Sequence, residues 1–249
     1  MLVTAGAAGI GRGFAEVFAD AGAKVFICDV DRAALAAFHA ARPEIGGARA
    51  DVADPKQVDS MFDAAKTFLG GLDVLINNAG ISGPTAPVEA IDIVDWDRTI
   101  GIDLNGMFYC TRLAVPLLKA AGGGSIINLS SVAGRLGFPL RTPYAAAKWA
   151  VVGFTKSLAM ELGPANIRVN AIQPGVVEGE RIERVISAKA KALGLTFDQH
   201  KQQLLSKVSL GRMVSPLDIA NMALFLATDA GRNISGQALS VCGNVESLA

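Results

Sequence analysis

Three residues have the types and spacing to move a proton on and off an oxygen atom: Ser131, Tyr144 and Lys148. Tyr144 and Lys148 stand four apart in Thr142-Pro143-Tyr144-Ala145-Ala146-Ala147-Lys148, and Ser131 lies thirteen residues before the tyrosine. A helix with Thr142 as N-cap and Pro143 as first residue puts positions i and i+4 on one face. A free phenol ionises near pH ~10, too high for acid–base work at neutrality. An ammonium beside it favours the phenolate and brings proton transfer toward the working pH. A serine hydroxyl alongside can hold a carbonyl oxygen. Tyr-x-x-x-Lys alone is a common chance pattern on a surface helix. Here Ser131 follows a strand-like run, Ser125-Ile126-Ile127-Asn128-Leu129-Ser130, the apolar segment Ala150-Val151-Val152-Gly153-Phe154 continues the helix, and a glycine-rich loop opens the chain.

The elements that hold these residues alternate along the sequence. Leu2-Val3 enters the loop, a first strand that reads as clipped, since only three residues precede Thr4. Helix patterns follow at Phe14–Ala21, Asp31–Arg42, Asp54–Leu69, Trp96–Ala120, Tyr144–Leu162 and Pro216–Ala227. Strands are expected at Lys24–Cys28, Ala48–Ala50, Val74–Ile76, Ser125–Ser130, Arg168–Ile172 and Ala238–Val241. Strands separated by helices imply an α/β fold, a Rossmann-type doubly wound parallel sheet with helices on both faces in three layers. No linker or repeat divides residues 1–249, so a single dinucleotide-binding domain is expected, with a helical lid over the substrate at about 178–213.

Composition narrows the classes. Hydrophobic residues are 51% of 249, enough for a large core, and the net charge of +0 argues against nucleic acid or an anionic membrane as partner. No apolar run approaches the roughly 20 residues of a membrane span, and the N-terminus lacks a signal peptide's pattern. Cys28, Cys110 and Cys242 are odd in number and widely spaced, which points away from disulfides and metal sites and toward a reducing cytoplasm. His39 and His200 lie in helical, partly charged stretches and read as solvated residues.

Thr4-Ala5-Gly6-Ala7-Ala8-Gly9-Ile10-Gly11 sits between strand and helix, where glycines let backbone approach a pyrophosphate and the helix N-terminus supplies N–H donors. Asp29, eighteen residues after Gly11, ends the second strand; a carboxylate there accepts from both ribose hydroxyls and repels a 2′-phosphate. Asp31 fits the cap of the next helix better than Asp29 does. Arg12 could favour a phosphate, but the carboxylate of Asp29 outweighs it and the reading is NAD preferred over NADP. Asp51-Val52 and Asn77-Asn78-Ala79-Gly80 follow strands and belong at the carboxyl edge of the sheet.

Taken together, Gly9-Ile10-Gly11, Asp29, Asp51-Val52, Asn77-Asn78-Ala79-Gly80, Ser131, Tyr144/Lys148 and Pro174-Gly175 resemble the short-chain dehydrogenase/reductase family in order and spacing, over essentially the whole chain. The resemblance implies Tyr144 as general acid/base, Ser131 as the residue orienting the substrate oxygen, and Lys148 as the cation that favours the tyrosinate and binds the nicotinamide ribose. It also implies a cofactor site built from Gly6, Gly9, Ile10, Gly11, Asp29, Asp51, Val52, Asn78, Ala79, Gly80, Tyr144, Lys148, Pro174, Gly175 and Val177. Val52 and Asn78 fall by the adenosine half and Val177 by the nicotinamide. The resemblance further implies a small alcohol or carbonyl compound as partner, no need for a metal, and subunits that pair as dimers or tetramers.

Three positions depart from the family pattern. Ala5 replaces the first loop glycine, a change the turn tolerates if Gly6 takes the unusual dihedrals. Asp103, forty-one residues before Tyr144, replaces the usual asparagine, with Asn105 facing elsewhere; its charge favours protonated Lys148 and activity is expected to survive. Glu178-Gly179 stands where a threonine usually follows Pro174-Gly175. For the substrate, the insertion carries Arg181, Arg184, Lys189 and Lys191 on helical spacing, and Arg135 and Arg141 lie between Ser131 and Tyr144; one of these arginines could hold a carboxylate or sulfonate, though each singly also fits a solvated helix face. The activity expected is NAD-dependent oxidation of a secondary alcohol or reduction of its ketone. An NADPH-dependent 3-oxoacyl reductase is disfavoured by Asp29, and a non-catalytic dinucleotide sensor or a methyltransferase has no use for the Ser/Tyr/Lys trio.

Overall fold

The computed structural model describes residues 1–248. Seven parallel strands form one sheet: β1 (Leu2–Thr4), β2 (Phe26–Asp29), β3 (Gly46–Arg49), β4 (Val74–Asn77), β5 (Gly124–Leu129), β6 (Ile167–Pro174) and β7 (Ala238–Val241). Their order is β3-β2-β1-β4-β5-β6-β7, so the winding reverses between β1 and β4. In doubly wound sheets a crevice opens at that reversal, beyond the carboxyl ends of the strands.

Helices α1 (Gly9–Asp20), α2 (Arg32–Ala41), α3 (Pro55–Leu69), α4 (Ile93–Ile100), α5 (Gly106–Ala120), α6 (Thr142–Leu162), α7 (Glu180–Leu193), α8 (Phe197–Leu205) and α9 (Pro216–Ala227) connect the strands. One face of the sheet packs Phe14, Phe18, Ile219 and Leu226 from α1 and α9 onto Val3, Ile27, Ile76 and Ile127. The other packs Val58, Met61, Cys110, Leu118 and Leu162 from α3, α5 and α6 onto Leu2, Leu75, Ile126 and Val169. The central strands β1, β4, β5 and β6 are largely buried on both sides because both faces are covered, whereas the edge strands β3 and β7 are partly exposed.

Below the carboxyl edge a buried polar chain ties the layers together. Asn77 donates to Thr111 Oγ1 (3.1 Å) and Asn128 Oδ1 (2.9 Å), and Asn128 donates to Thr155 Oγ1 (3.0 Å). It fixes α5 and α6 to the central strands in one register, since a buried polar group is costly unless satisfied.

Several local expectations are revised. The helix expected over 96–120 is two helices joined by a π-helical turn, Gly101–Asn105, and Asp103 lies inside that turn. Helix α6 starts at Thr142 with Arg141 at the capping position, so Thr142 is not its N-cap. His200 is buried rather than solvated, and burial lowers its pKa from the ordinary imidazole value. His39 Nε2 is also buried and unpartnered. The insertion after β6 contains α7 and α8, and Val177 pairs with Val214 at its base, where Glu178 N–H donates to the Val214 carbonyl (3.0 Å).

Candidate active site at the carboxyl edge

Tyr144 and Lys148 lie on the first turns of α6, one turn apart, with the Lys148 Nζ 5.6 Å from the phenol ring centroid. The ammonium is held beneath the ring by two oxygens. It donates to the Leu129 carbonyl at the end of β5 (3.0 Å) and faces Asp103 Oδ2 at 3.4 Å, in a pair whose side chains are 4% and 0% exposed. The Lys148 carbonyl in turn accepts from Ser130 Oγ (2.8 Å). Helix α6 is thus fastened to the tip of β5 through both the backbone and the side chain of one residue. Asp103 Oδ1 accepts from the Ile81 N–H (2.7 Å), which ties the π-turn to the loop after β4. A π-turn shifts one residue's register within a helix, and such turns gather at functional sites; here it carries the carboxylate to the lysine. Asn105 is exposed, as expected for a residue two further on.

Ser131 lies two residues beyond the end of β5. Its Oγ accepts from the Ala133 N–H (3.1 Å), at the start of a short turn spanning Val132–Gly134. Neither the Ser131 nor the Tyr144 hydroxyl donates to an acceptor among the described residues, so both protons are available to an oxygen placed between them.

The glycine loop lies across the β1–β4 reversal. Gly11 packs so tightly that a Cβ would stand 1.9 Å from the Ala5 carbonyl oxygen. Asn78 clamps the loop by donating Nδ2 to the Thr4 and Ala5 carbonyls (2.9 and 3.0 Å), while its own N–H and that of Ala79 donate to Thr4 Oγ1 (3.0 and 2.9 Å). The expected division of strain between Ala5 and Gly6 is reversed. Ala5 itself adopts the left-handed conformation (φ 50°), and Gly6 is needed instead for close approach to Ile27, where a Cβ would lie 2.6 Å from the side chain.

The residues present fit a dinucleotide. At the mouth of the loop Gly9 (φ 54°) faces open space, with no heavy atom within 4 Å of where a Cβ would stand. Helix α1 is capped by Ala8, which brings no side-chain acceptor, and its first turn has no acidic residue. Its first amides are therefore free to meet an anion. Ile10 packs against the core behind them. Asp29 bridges β2 to the loop, accepting from the Ala7 and Asp31 N–H groups (3.2 and 3.1 Å), and Asp31 caps α2. Arg12 is engaged by Glu16 (2.8 Å) and lies over Phe38. Asp51 accepts from the Ala53 N–H (2.9 Å), and Val52 is buried against Gly106. Pro174 ends β6, and Gly175 N–H donates to the Val241 carbonyl (3.0 Å), which sets Val177 at the edge of the same crevice. Among the described residues no cluster of His, Cys, Asp or Glu could hold a metal ion.

A family model described as Enoyl-(Acyl carrier protein) reductase matches residues 5–244. The chain is 40% identical to galactitol 2-dehydrogenase of Agrobacterium fabrum, over 97% of its own length and 95% of that protein's. The chain belongs to the short-chain dehydrogenase/reductase family. Two solved members of that family share its fold throughout. The NAD+-bound xylitol dehydrogenase gives a TM-score of 0.93 at 29% identity, covering 98% of this chain and 97% of that one. A variant of actinorhodin polyketide ketoreductase with NADPH gives 0.91 at 31%, covering 97% and 95%.

As a short-chain dehydrogenase/reductase the chain has features that motif reading passes over. Thr4, Leu129 and Ser130 hold the site through hydrogen bonds that only the assembled sheet reveals; the doubled serine at 130–131 is the one sequence sign of it. The basic residues also separate. Arg184 pairs weakly with Glu180 in solvent (3.8 Å), Lys191 is exposed, and Arg135 donates to the Val245 carbonyl (2.6 Å). Arg141, Arg181 and Lys189 instead converge on Phe138 and Tyr144.

Proposed function

We propose that this enzyme transfers a hydride between NAD(H) and a secondary alcohol or its ketone, with Tyr144 as general acid/base. The observation that carries the reading is the buried Lys148 ammonium, fixed by Leu129 and Asp103 beneath the Tyr144 ring at the carboxyl edge of the sheet. When bound, the dinucleotide supplies the hydride chemistry. During oxidation Tyr144, as tyrosinate, takes the proton from the substrate hydroxyl while Ser131 donates to the same oxygen; during reduction Tyr144 returns that proton. The Lys148 ammonium stands 5.6 Å from the centre of the ring that exchanges this proton. Asp103 takes over the place the family usually gives to asparagine and keeps the lysine aimed at the ring.

For the cofactor, Gly6, Gly9, Ile10 and Gly11 form the pyrophosphate cradle and Asp29 receives the ribose hydroxyls. Asp51, Val52, Asn78, Ala79 and Gly80 border the adenosine half and inner ribose, and Pro174, Gly175 and Val177 border the nicotinamide. NAD is preferred over NADP because Asp29 repels a 2′-phosphate and Arg12, the nearby cation, is already occupied by Glu16. The whole chain acts as one catalytic domain, and residues 178–213 serve as the lid. Trp96, Phe108, Trp149 and Met160 are exposed on α4, α5 and α6 and support pairing of subunits as dimers or tetramers across these helices. A cytoplasmic location accords with three unpaired, buried cysteines, and no described helix is long and apolar enough to cross a membrane.

A panel of secondary alcohols and ketones assayed with NAD(H) and NADP(H) tests this. Turnover with NAD(H), exceeding that with NADP(H) by about tenfold or more in kcat/KM (about 1.4 kcal/mol), is expected. Nicotinamide coenzymes that neither bind nor react with any of them would end the reading.

A further inference from the structure

The reaction just described leaves one feature of the site unused: positive charge around the reacting phenol with no negative partner. Arg141 stands three residues before Tyr144 and is only 2% exposed. Its guanidinium carbon lies 5.6 Å from the centroid of the Tyr144 ring and 5.4 Å from that of Phe138. Its two terminal nitrogens donate to neutral acceptors, the Ser82 carbonyl and Thr85 Oγ1 (3.3 Å), and its buried Nε has no hydrogen-bond partner among the described residues. Arg181, in the first turn of α7, reaches across the crevice from the lid. Its guanidinium carbon is 5.9 Å from the same Tyr144 ring, and Nη1 donates to the Gly80 carbonyl (3.0 Å). Lys189, one helical face further along α7, lies 4.9 Å from the Phe138 ring and donates to the Leu248 carbonyl (3.0 Å).

Among the described residues none of these three cations has a carboxylate within ion-pairing distance, whereas Lys148 has Asp103. Burial and the neighbouring cations oppose the charged state of both Arg141 and Lys189, with only Tyr144 and the more distant Asp103 helping Arg141. Arg141 is withdrawn from water while Arg181 stays exposed on the lid; burying a guanidinium without a counterion costs several kcal/mol, a cost that an anion brought to Arg141 by the open Arg181 would offset. The planar fork of arginine matches a carboxylate in particular.

We propose that Arg181 and Arg141 form the carboxylate clamp of the substrate site, so that the enzyme acts on hydroxy acids and the corresponding oxo acids. Arg181 supplies the fork and, being on the lid, is drawn down by the anion. Arg141 supplies a fixed charge behind it. The two sit on the Tyr144 ring, so a carboxylate held there puts the carbinol carbon of the same molecule near the phenol oxygen. The clamp rests on the dehydrogenase reading, and the test separates the two.

Short aliphatic and alicyclic hydroxy acids are assayed with saturating NAD+, each beside its own primary amide, which keeps shape and removes charge. The acid is expected to exceed the amide in kcat/KM by about tenfold or more. Arg181→Gln should reduce that ratio toward unity through a raised KM for the acid, and Arg181→Lys should recover part of it, because charge returns without the fork. Butanoate should compete with the acid substrate more tightly than butanamide in the wild type and lose that advantage in Arg181→Gln. Equal kcat/KM for acid and amide, or a preference undiminished in Arg181→Gln, overturns the clamp while the dehydrogenase stands. Turnover of neither compound, nor of any neutral alcohol, with either coenzyme overturns both.

Discussion

Replacing Asp103 tests how the lysine is held. The carboxylate is fully buried, 3.4 Å from the Lys148 ammonium and 2.7 Å from the Ile81 N–H. At an effective dielectric of about 20, unit charges at that distance attract by about 5 kcal/mol, a gross figure before desolvation. Removing one partner of a buried pair costs about 3–5 kcal/mol, because the other charge stays behind unpaired. Asp103→Leu also orphans the Ile81 N–H, worth about 1–3 kcal/mol and overlapping the first term. The expected loss is therefore about 3–5 kcal/mol, which for a chain of this size lowers Tm by roughly 6–20 °C. Asp103→Asn keeps an acceptor for Ile81, and Lys148 keeps the Leu129 carbonyl (3.0 Å). That variant should lose only about 1–2 kcal/mol and keep turnover within about tenfold of wild type. Urea unfolding followed by the fluorescence of Trp96 and Trp149, at one protein concentration because subunit association contributes, gives the first quantity. Steady-state rates at saturating coenzyme give the second. A leucine variant within about 1 kcal/mol of wild type would refute the buried pair as the support of Lys148. An asparagine variant faster by more than about tenfold would make the aspartate a defect.

Two further outcomes follow from the dinucleotide cradle. Asp29→Ala should shrink the NAD-over-NADP ratio of kcat/KM by about tenfold or more (about 1.4 kcal/mol); an unchanged ratio removes Asp29 as the discriminating group. Ala5→Gly should stabilise the chain by about 0.5–1 kcal/mol, since a left-handed alanine costs roughly 1–2 kcal/mol and glycine gives back about half of that in unfolded-state entropy. A lower Tm for this variant contradicts the strain assigned to Ala5.

Much of this architecture could be read from the chain because its signals are local. Alternating apolar runs located all seven strands to within a few residues, and Asp54-Pro55 announced α3 through its cap and first-turn proline. What escaped depends on contacts between distant segments. Gly6 is held to a glycine by its contact with Ile27 while Ala5 takes the left-handed turn, and no rule about the loop alone shows this. The π-turn at Gly101–Asn105 changes hydrogen-bond register without changing the apolar period, so the stretch reads as one helix. The Asp103–Lys148 pair was half legible. Opposite charges were evident at two motif positions, but the Ile81 N–H and the Leu129 carbonyl that fix them were not. Arg141 reads like its exposed neighbours, and only packing distinguishes it as nearly inaccessible. Histidine 200 went the same way, polar in sequence yet covered by the insertion around it.

Tyr144→Phe, measured by turnover and by NADH fluorescence on the same preparation, tests the central claim most directly. The substitution removes one hydroxyl and leaves the ring, Lys148 and the glycine cradle in place. Turnover should fall by roughly 10²–10⁴-fold, the contribution of a positioned acid–base group, while NADH binds as tightly as to the wild type. A phenylalanine enzyme that keeps its rate would contradict the account.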